Sequence, residues 1–150
     1  MAPSEYTIRL QKGIRGGFTP PNPSAISTLI KSASESNIHI SVAIRLPGTR
    51  TLQPQPPKIL DSSDEETLRL VTELSNTLRD LPTESPPQSE DIYGLDTSIA
   101  WRSEDMEWCN GAPAGCDAGE SLVKVDDDQI SKFRRAVEIV EQLVQMGADC

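Results

Sequence analysis

The sequence predicts an α+β fold in which an antiparallel sheet of about four strands packs against two amphipathic helices. Three observations lead to this fold class. Four short segments alternate apolar and polar residues, which is the period of a strand with one face in a core. Two longer segments repeat apolar residues every three or four positions, as a helix with one buried face does. Both helical segments begin with acidic residues suited to a helix N-terminus.

The predicted strands differ in how clearly their apolar and polar residues alternate. Tyr6, Ile8 and Leu10 alternate with polar residues and form the first strand, which runs into a glycine-rich tail. Residues 38–44 show the cleanest alternation in the chain. Two more strands are predicted over residues 93–101 and 121–125. Apolar residues in the segment 24–36 have helical spacing among serines, and this segment is interpreted as a short helix or turn.

The two helices are predicted from their capping residues and their apolar stripes. Ser63 and Glu66 have the spacing of a capping box, as do Asp126 and Gln129. Gly147 is a reasonable end for the second helix. The predicted buried stripes are Leu68, Val71, Leu74, Leu78 and Leu81 in the first helix and Ile130, Phe133, Val137, Val140 and Val144 in the second.

The length of 150 residues suits one domain, with long loops outside its core. Prolines mark two of these loops, at residues 46–58 and 82–90, and a cysteine-containing loop is predicted over residues 102–120. Residues 53–57 are mostly proline and glutamine, which favours an extended and hydrated conformation. This segment is interpreted as a stiff surface loop, with a docking site for a proline-reading domain as the alternative.

The net charge of the chain limits the classes of partner that it is expected to bind. The formal net charge is -9, from 14 basic and 23 acidic residues, and such a charge repels phosphate backbones and anionic lipid. We therefore expect no nucleic-acid partner and no membrane partner, and a protein partner fits the charge better. Arg9, Lys12 and Arg15 come close to a basic cluster, but they are interpreted as a solvated strand edge.

The expected location is cytoplasmic. No apolar run reaches 18 residues, and the first residues lack the basic and apolar regions of a secretory signal. Three cysteines are an odd number, so at least one thiol has no partner within the chain.

Residues suited to catalysis or metal binding are sparse. His39 is the one histidine, and it falls on the polar face of a predicted strand, where it is interpreted as a surface residue. The acidic clusters at both helix starts are explained by capping. No cofactor, metal site or enzyme activity is therefore expected. Carboxylate catalysis would remain possible if Asp96, the one acid inside a strand pattern, were buried in a pocket with a second carboxylate.

Cys109 and Cys116 bracket a turn that contains glycine and proline. A disulfide between them would stabilise the fold by about 2 to 3 kcal/mol, whereas in a reducing compartment both would be free thiols. Both interpretations stay open, as does the redox state of Cys150. The adjacent Trp108 is interpreted either as part of an exposed partner-binding patch or as a lid over the end of the core.

The order of these motifs resembles a known family. A strand leads to Gly16, Gly17 and Phe18, an acidic leucine-rich helix follows over residues 65–81, and later a Val-x-Val strand meets an aspartate-capped helix over residues 123–144. This order is similar to that of the emfourins, bacterial proteinaceous inhibitors of protealysin and related thermolysin-like metallopeptidases. The resemblance implies an antiparallel sheet packed against helices, a cytosolic location, and inhibition by occupation of the protease's substrate cleft.

The resemblance covers about half of the chain. The chain is longer than the family pattern, and the loops at 46–58 and 102–120 do not belong to it. Residues 13–15 are also inserted before the Gly-Gly-Phe sequence. These departures concern the inhibitory loops more than the fold.

The predicted function is that of a non-catalytic protein-binding domain, with a metallopeptidase as the partner that the resemblance implies. The alternative is a general interaction adaptor that binds through a sheet edge or the proline loop. The predicted partner-binding residues are Gly16, Gly17, Phe18, Thr19 and Trp108.

Overall fold

The strands form one antiparallel sheet in the computed structural model, which describes residues 4–13, 24–46, 48, 51–85, 92–110 and 122–149. The helices are α1 (Glu65–Arg79) and α2 (Asp127–Met146), and their apolar faces share one core with the sheet. The predicted α+β fold class is therefore confirmed. The strands are β1 (Tyr6–Lys12), β2 (Ala25–Lys31), β3 (Asn37–Ile44), β4 (Gln53–Pro54), β5 (Lys58–Asp61), β6 (Thr97–Ser103), β7 (Met106–Cys109) and β8 (Ala148–Asp149).

The order of the strands across the sheet is β7-β6-β1-β2-β3-β5-β8, with the short β4 also paired to β3. The described residues thus hold eight strands, and the expected number of about four was too low. β4 and β8 have two residues each and β7 has four. Segments this short cannot display an alternation, because a period of two needs several repeats to be recognised.

β2 corrects the prediction of a short helix or turn over residues 24–36. It lies between β1 and β3 and pairs with both along its whole length. Leu29 is fully buried because its pairing partners, Ile8 and Ile40, are core residues. The serines and threonine of this segment hide the alternation, and pairing with two neighbours decides the conformation instead.

β6 begins later than predicted. The segment before it turns at Asp96, whose φ of 54° is left-handed and cannot continue a strand. Tyr93 is nevertheless buried, and its ring stacks on Phe133 at 4.3 Å between centroids. Residues 122–125, predicted as a strand, have none in the structure, whereas β7 lies in the segment predicted to be a loop.

The two helix starts agree with the sequence to different degrees. At α2 the predicted capping box is confirmed: Gln129 N donates to Asp126 Oδ1 at 2.8 Å, and Asp126 N donates to Gln129 Oε1 at 3.0 Å. At α1 the cap is Asp64, whose carboxylate accepts from Thr67 N, and the prediction of Ser63 was wrong by one residue. Leu68 is also 42% exposed and lies off the buried stripe.

The core lies between the helices and one face of the sheet. Ile8 of β1 pairs with Leu29 and with Trp101, and all three are buried. Tyr6 stacks on Trp101 at 5.5 Å, which extends the same layer. The other face of the sheet, here called the outer face, carries the residues that alternate with these. His39 lies on it and is exposed, as predicted, with its Nε2 in contact with the Glu35 carboxylate.

Candidate functional site

The candidate site is the end of the sheet at which β1 stops and β2 starts. The four loop residues predicted to bind a partner belong to the connection between these strands, residues 14–23, and lie outside the described residues. The structure does show both ends of this connection. They are Gly13 and Ser24.

Backbone hydrogen bonds fix both ends of the connection. Ser24 N donates to Lys12 O at 2.8 Å, which extends the pairing of β1 with β2 by one residue. Gly13 N donates to Asp96 O at 2.8 Å, which ties the other end to the turn before β6. Gly13 has a φ of 92°, a conformation that favours glycine because it has no Cβ. The chain therefore leaves β1 and returns to β2 at defined positions.

Other connections leave from the same end of the sheet. β3 ends opposite the start of β2, where Arg45 N donates to Ser24 O at 2.9 Å. β6 starts opposite Lys12, and β7 ends opposite Ala100. The connections that contain residues 14–23, 45–52, 92–96 and 110 onward thus begin or end side by side. We call this the loop end of the sheet.

Asn110 fixes the point at which the chain leaves β7. It is 1% exposed, its Oδ1 accepts from Ile99 N at 2.9 Å, and its Nδ2 donates to Thr97 O at 3.1 Å. Its backbone oxygen accepts from Ser98 Oγ at 2.6 Å. Sequence reasoning gave Asn110 no role. The signal was the Asn-Gly pair at the end of an apolar segment, which is typical of a turn.

A cleft of about 460 Å³ opens at the loop end, between the base of the 14–23 connection and α2. Lys12 and Glu141 line it and form an ion pair at 2.9 Å with side chains 40% and 43% exposed. Asp96 and Glu138 also line it, and Glu138 is exposed. Asp96 therefore does lie in a cleft with other carboxylates. The cleft carries both signs of charge, and its Lys12 and Glu141 side chains are 40% and 43% exposed, which differs from the buried carboxylate pair considered above.

Trp108 is a core residue. It is 8% exposed, its indole Nε1 donates to Leu81 O at 3.0 Å, and its ring lies 6.2 Å from that of Phe133. Because β7 pairs with β6 in a register that sets Trp108 opposite Trp101, its side chain turns toward the helices. The interpretation as an exposed partner-binding patch is corrected here, and the position agrees with a lid over the end of the core.

Cys109, the next residue, faces the opposite way at an exposed position, and no other cysteine of the described residues is bonded to it. Partial burial of its sulfur raises the pKa of the thiol, and the Glu84 carboxylate acts in the same direction, whereas the Ser98 hydroxyl and Arg9 lower that pKa. Cys116 and Cys150 lie outside the described residues. The disulfide between Cys109 and Cys116 therefore stays a prediction.

Two further properties of the described residues concern metal binding and membrane insertion. Within the described residues, no group of three or more histidine, cysteine, aspartate or glutamate side chains is placed to hold a metal ion. None of the helices in that part of the chain is both long and apolar enough to cross a membrane.

No protein-family model, curated protein or solved structure matches the chain. The resemblance to emfourins stays a prediction.

Proposed function

We propose that the protein is a non-catalytic protein-binding domain that uses the loop end of the sheet as its binding surface. One observation carries this proposal: the connection of residues 14–23 is held at both ends by backbone hydrogen bonds, at Gly13 and at Ser24. Fixed ends restrict a loop before it meets a partner, which lowers the entropy cost of binding. The described ends of the neighbouring connections, at Arg45, Asp96 and Asn110, lie at the same end of the sheet.

The sequence of this connection supports recognition of a protein. It contains Phe18, a large apolar residue, between two glycines and a proline-rich stretch. Proline restricts the backbone, and an aromatic side chain is the residue type that most often anchors an interface. The sequence of the connection thus contains both prolines, which restrict a backbone, and a candidate aromatic anchor.

The partner we propose is a thermolysin-like metallopeptidase, inhibited by occupation of its substrate cleft. This part of the proposal depends on the resemblance to emfourins. The net charge of -9 fits a protein partner better than nucleic acid or an anionic membrane. The proposal includes a cytoplasmic location, for which the odd number of cysteines is the support.

The test is an inhibition assay. A thermolysin-like peptidase hydrolyses a short peptide substrate in the presence of increasing concentrations of the protein. Occupation of the cleft raises the apparent KM linearly with the protein concentration and leaves kcat unchanged. Phe18→Ala should weaken inhibition at least tenfold without changing the stability of the fold. Leu68→Ala is the matched control, because Leu68 is an exposed apolar residue on α1.

Two outcomes would count against the proposal. The first is the absence of inhibition at micromolar protein with a panel of such peptidases. The second is a loss of stability of about 3 to 5 kcal/mol in Phe18→Ala, as for a buried aromatic residue, because Phe18 would then be part of the core.

A second function, that of a general interaction adaptor, has its own observation. Gln53, Pro54, Pro56 and Pro57 are exposed, although β4 attaches part of this segment to β3. Exposed prolines in an extended segment are what proline-reading domains bind. Capture of such a domain by the wild-type protein, lost after replacement of Pro56 and Pro57 by alanine, would favour the adaptor.

A further inference from the structure

We propose that a groove on the outer face of the sheet binds an acidic peptide segment, and that Arg9 contacts its carboxylate. The groove has a volume of about 700 Å³, which is within the usual range for ligand sites. β1 and β6 form its floor, β7 borders it, and the segment that follows α1 forms its wall. We call it the Arg9 groove. It is separate from the loop end, and the proposal does not depend on the proposed function.

Arg9 takes part in no ion pair within the described residues, although Glu107 lines the same groove. Arg69, Arg79 and Arg135 each have a carboxylate within ion-pair distance, whereas no carboxylate of the described residues lies within that distance of Arg9. Arg9 is also half-buried. A partly desolvated guanidinium gains more from a carboxylate than a fully hydrated one does. In a chain with 23 acidic and 14 basic residues, such a cation marks a place for an external anion.

The strand register aims Arg9 into the groove. Arg9 pairs with Ala100 of β6, and Ala100 pairs with Cys109 of β7, so the three residues form a row on the outer face. The methyl group of Ala100 leaves space above the middle of this row. Arg9 and Cys109 both line the groove, so the guanidinium and the thiol border the same space.

A second arginine borders the same space. Arg102 is a diagonal neighbour of Arg9 across β1 and β6, at a separation of about 7 to 8 Å for such pairs. Its ion pair with Glu107 at 3.3 Å is weak, because the two side chains are 80% and 73% exposed. A bound carboxylate can therefore compete with Glu107 for Arg102 at little cost.

The wall of the groove determines the kind of partner. Pro82 and Thr83 line it and are partly exposed, whereas Leu81 and Trp108, which also line it, are nearly buried. A proline ring and a hydroxyl group next to a cation fit a peptide with an acidic residue beside a small apolar one. A nucleic acid fits poorly, because the net charge of -9 repels a polyanion while leaving a local contact with one carboxylate favourable.

Fluorescence anisotropy with labelled peptides of about seven residues tests the proposal. One peptide carries glutamates flanked by small apolar residues, its counterpart carries glutamine at the same positions, and a single-stranded oligonucleotide serves as a polyanion. We expect the acidic peptide to bind at least tenfold more tightly than its counterpart, and more weakly at high salt. Arg9→Gln should weaken binding of the acidic peptide about tenfold or more, as expected for loss of a charge-assisted hydrogen bond.

Arg69→Gln is the matched control, because it removes one positive charge from an exposed position on α1. It should leave the affinity within twofold of the wild type, and thermal unfolding should show that both variants are folded. Equal affinity for the glutamate and glutamine peptides, or no binding of either at millimolar concentration, would overturn the proposal. So would equal losses in Arg9→Gln and Arg69→Gln, or tighter binding of the oligonucleotide. Peptidase inhibition should be unaffected by Arg9→Gln, so the two proposals can fail separately.

Discussion

The two faces of β1 differ in what their residues contribute, although the residues alternate along one strand. Ile8 points to the helices and is fully buried among core residues of both neighbouring strands. Arg9, one residue later, points to the outer face and has no carboxylate partner in the described part of the chain. The core face thus stabilises the fold, while Thr7 and Arg9 on the outer face are only partly buried. Substitutions on the two faces should therefore affect different measurements.

The largest effect is expected on the core face. Ile8→Ala removes a fully buried side chain between Leu29 and Trp101 and should lower the free energy of unfolding by about 2 to 5 kcal/mol. Thr7→Ala, on the outer face, should change it by less than about 0.5 kcal/mol. Urea denaturation of both variants measures the difference. Equal losses would mean that the outer face is also part of a core.

A smaller effect is expected at Asn110, which lies at the end of β7. Asn110→Ala leaves the buried Ile99 N and Thr97 O without their partners, at a cost of about 1 to 3 kcal/mol. Hydrogen exchange should also show faster exchange at Ile99 than in the wild type. If the variant exchanges as slowly as the wild type at Ile99, Asn110 does not hold the start of β6.

The helix layer should show a dependence of stability on pH. Arg135 donates two hydrogen bonds to Glu73 and lowers the pKa of this carboxyl below its usual value of 4.5. A lowered pKa in the folded state contributes stability above the unfolded value, and this contribution is lost as pH falls through the folded pKa. As pH falls below about 4.5, the free energy of unfolding should therefore decrease less for Glu73→Gln than for the wild type.

Denaturation curves at several pH values measure this difference. Arg135→Gln should likewise reduce the decrease in the free energy of unfolding at acid pH, because it removes the group that lowers the pKa of Glu73. Parallel losses of stability in the wild type and both variants below pH 4.5 would contradict the assignment to this pair.

The smallest effect is expected for the ion pair between Lys12 and Glu141, because both side chains are about 40% exposed. A double-mutant cycle with Lys12→Gln and Glu141→Gln should give a coupling of about 0.2 to 1 kcal/mol. The coupling should decrease at high salt. A coupling that is larger and independent of salt would mean that the pair is more enclosed than its exposure indicates.

The sequence predicts those elements that depend on neighbours along the chain. The capping box of Asp126 and Gln129 is local, and so is the alternation that identifies β3. The conformation of β2 depends on β1 and β3, which supply the pairing that its serines and threonine do not indicate. The later start of β6 comes from the left-handed backbone at Gly94 and Asp96, which an alternation of apolar residues does not reveal.

The candidate sites were harder to predict than the fold. Arg9 and Lys12 were grouped as part of one solvated basic cluster, whereas the structure sends them to opposite faces of β1 and gives Lys12 a partner on α2. The floor of the Arg9 groove depends on the register between β1, β6 and β7, which brings Arg9 beside Ala100. Register between distant strands has no signature in either strand alone.

The end of α2 determines how one edge of the sheet is covered. Gly147 stops the helix with an extended backbone, and a Cβ added there would lie 2.8 Å from Ile40 Cδ1. This close approach lets the chain continue into β8, which pairs with β5. An edge strand with unpaired backbone groups can template the addition of another chain. The missing side chain of Gly147 thus lets a two-residue strand cover part of β5, and an edge strand this short offers few backbone groups to another chain.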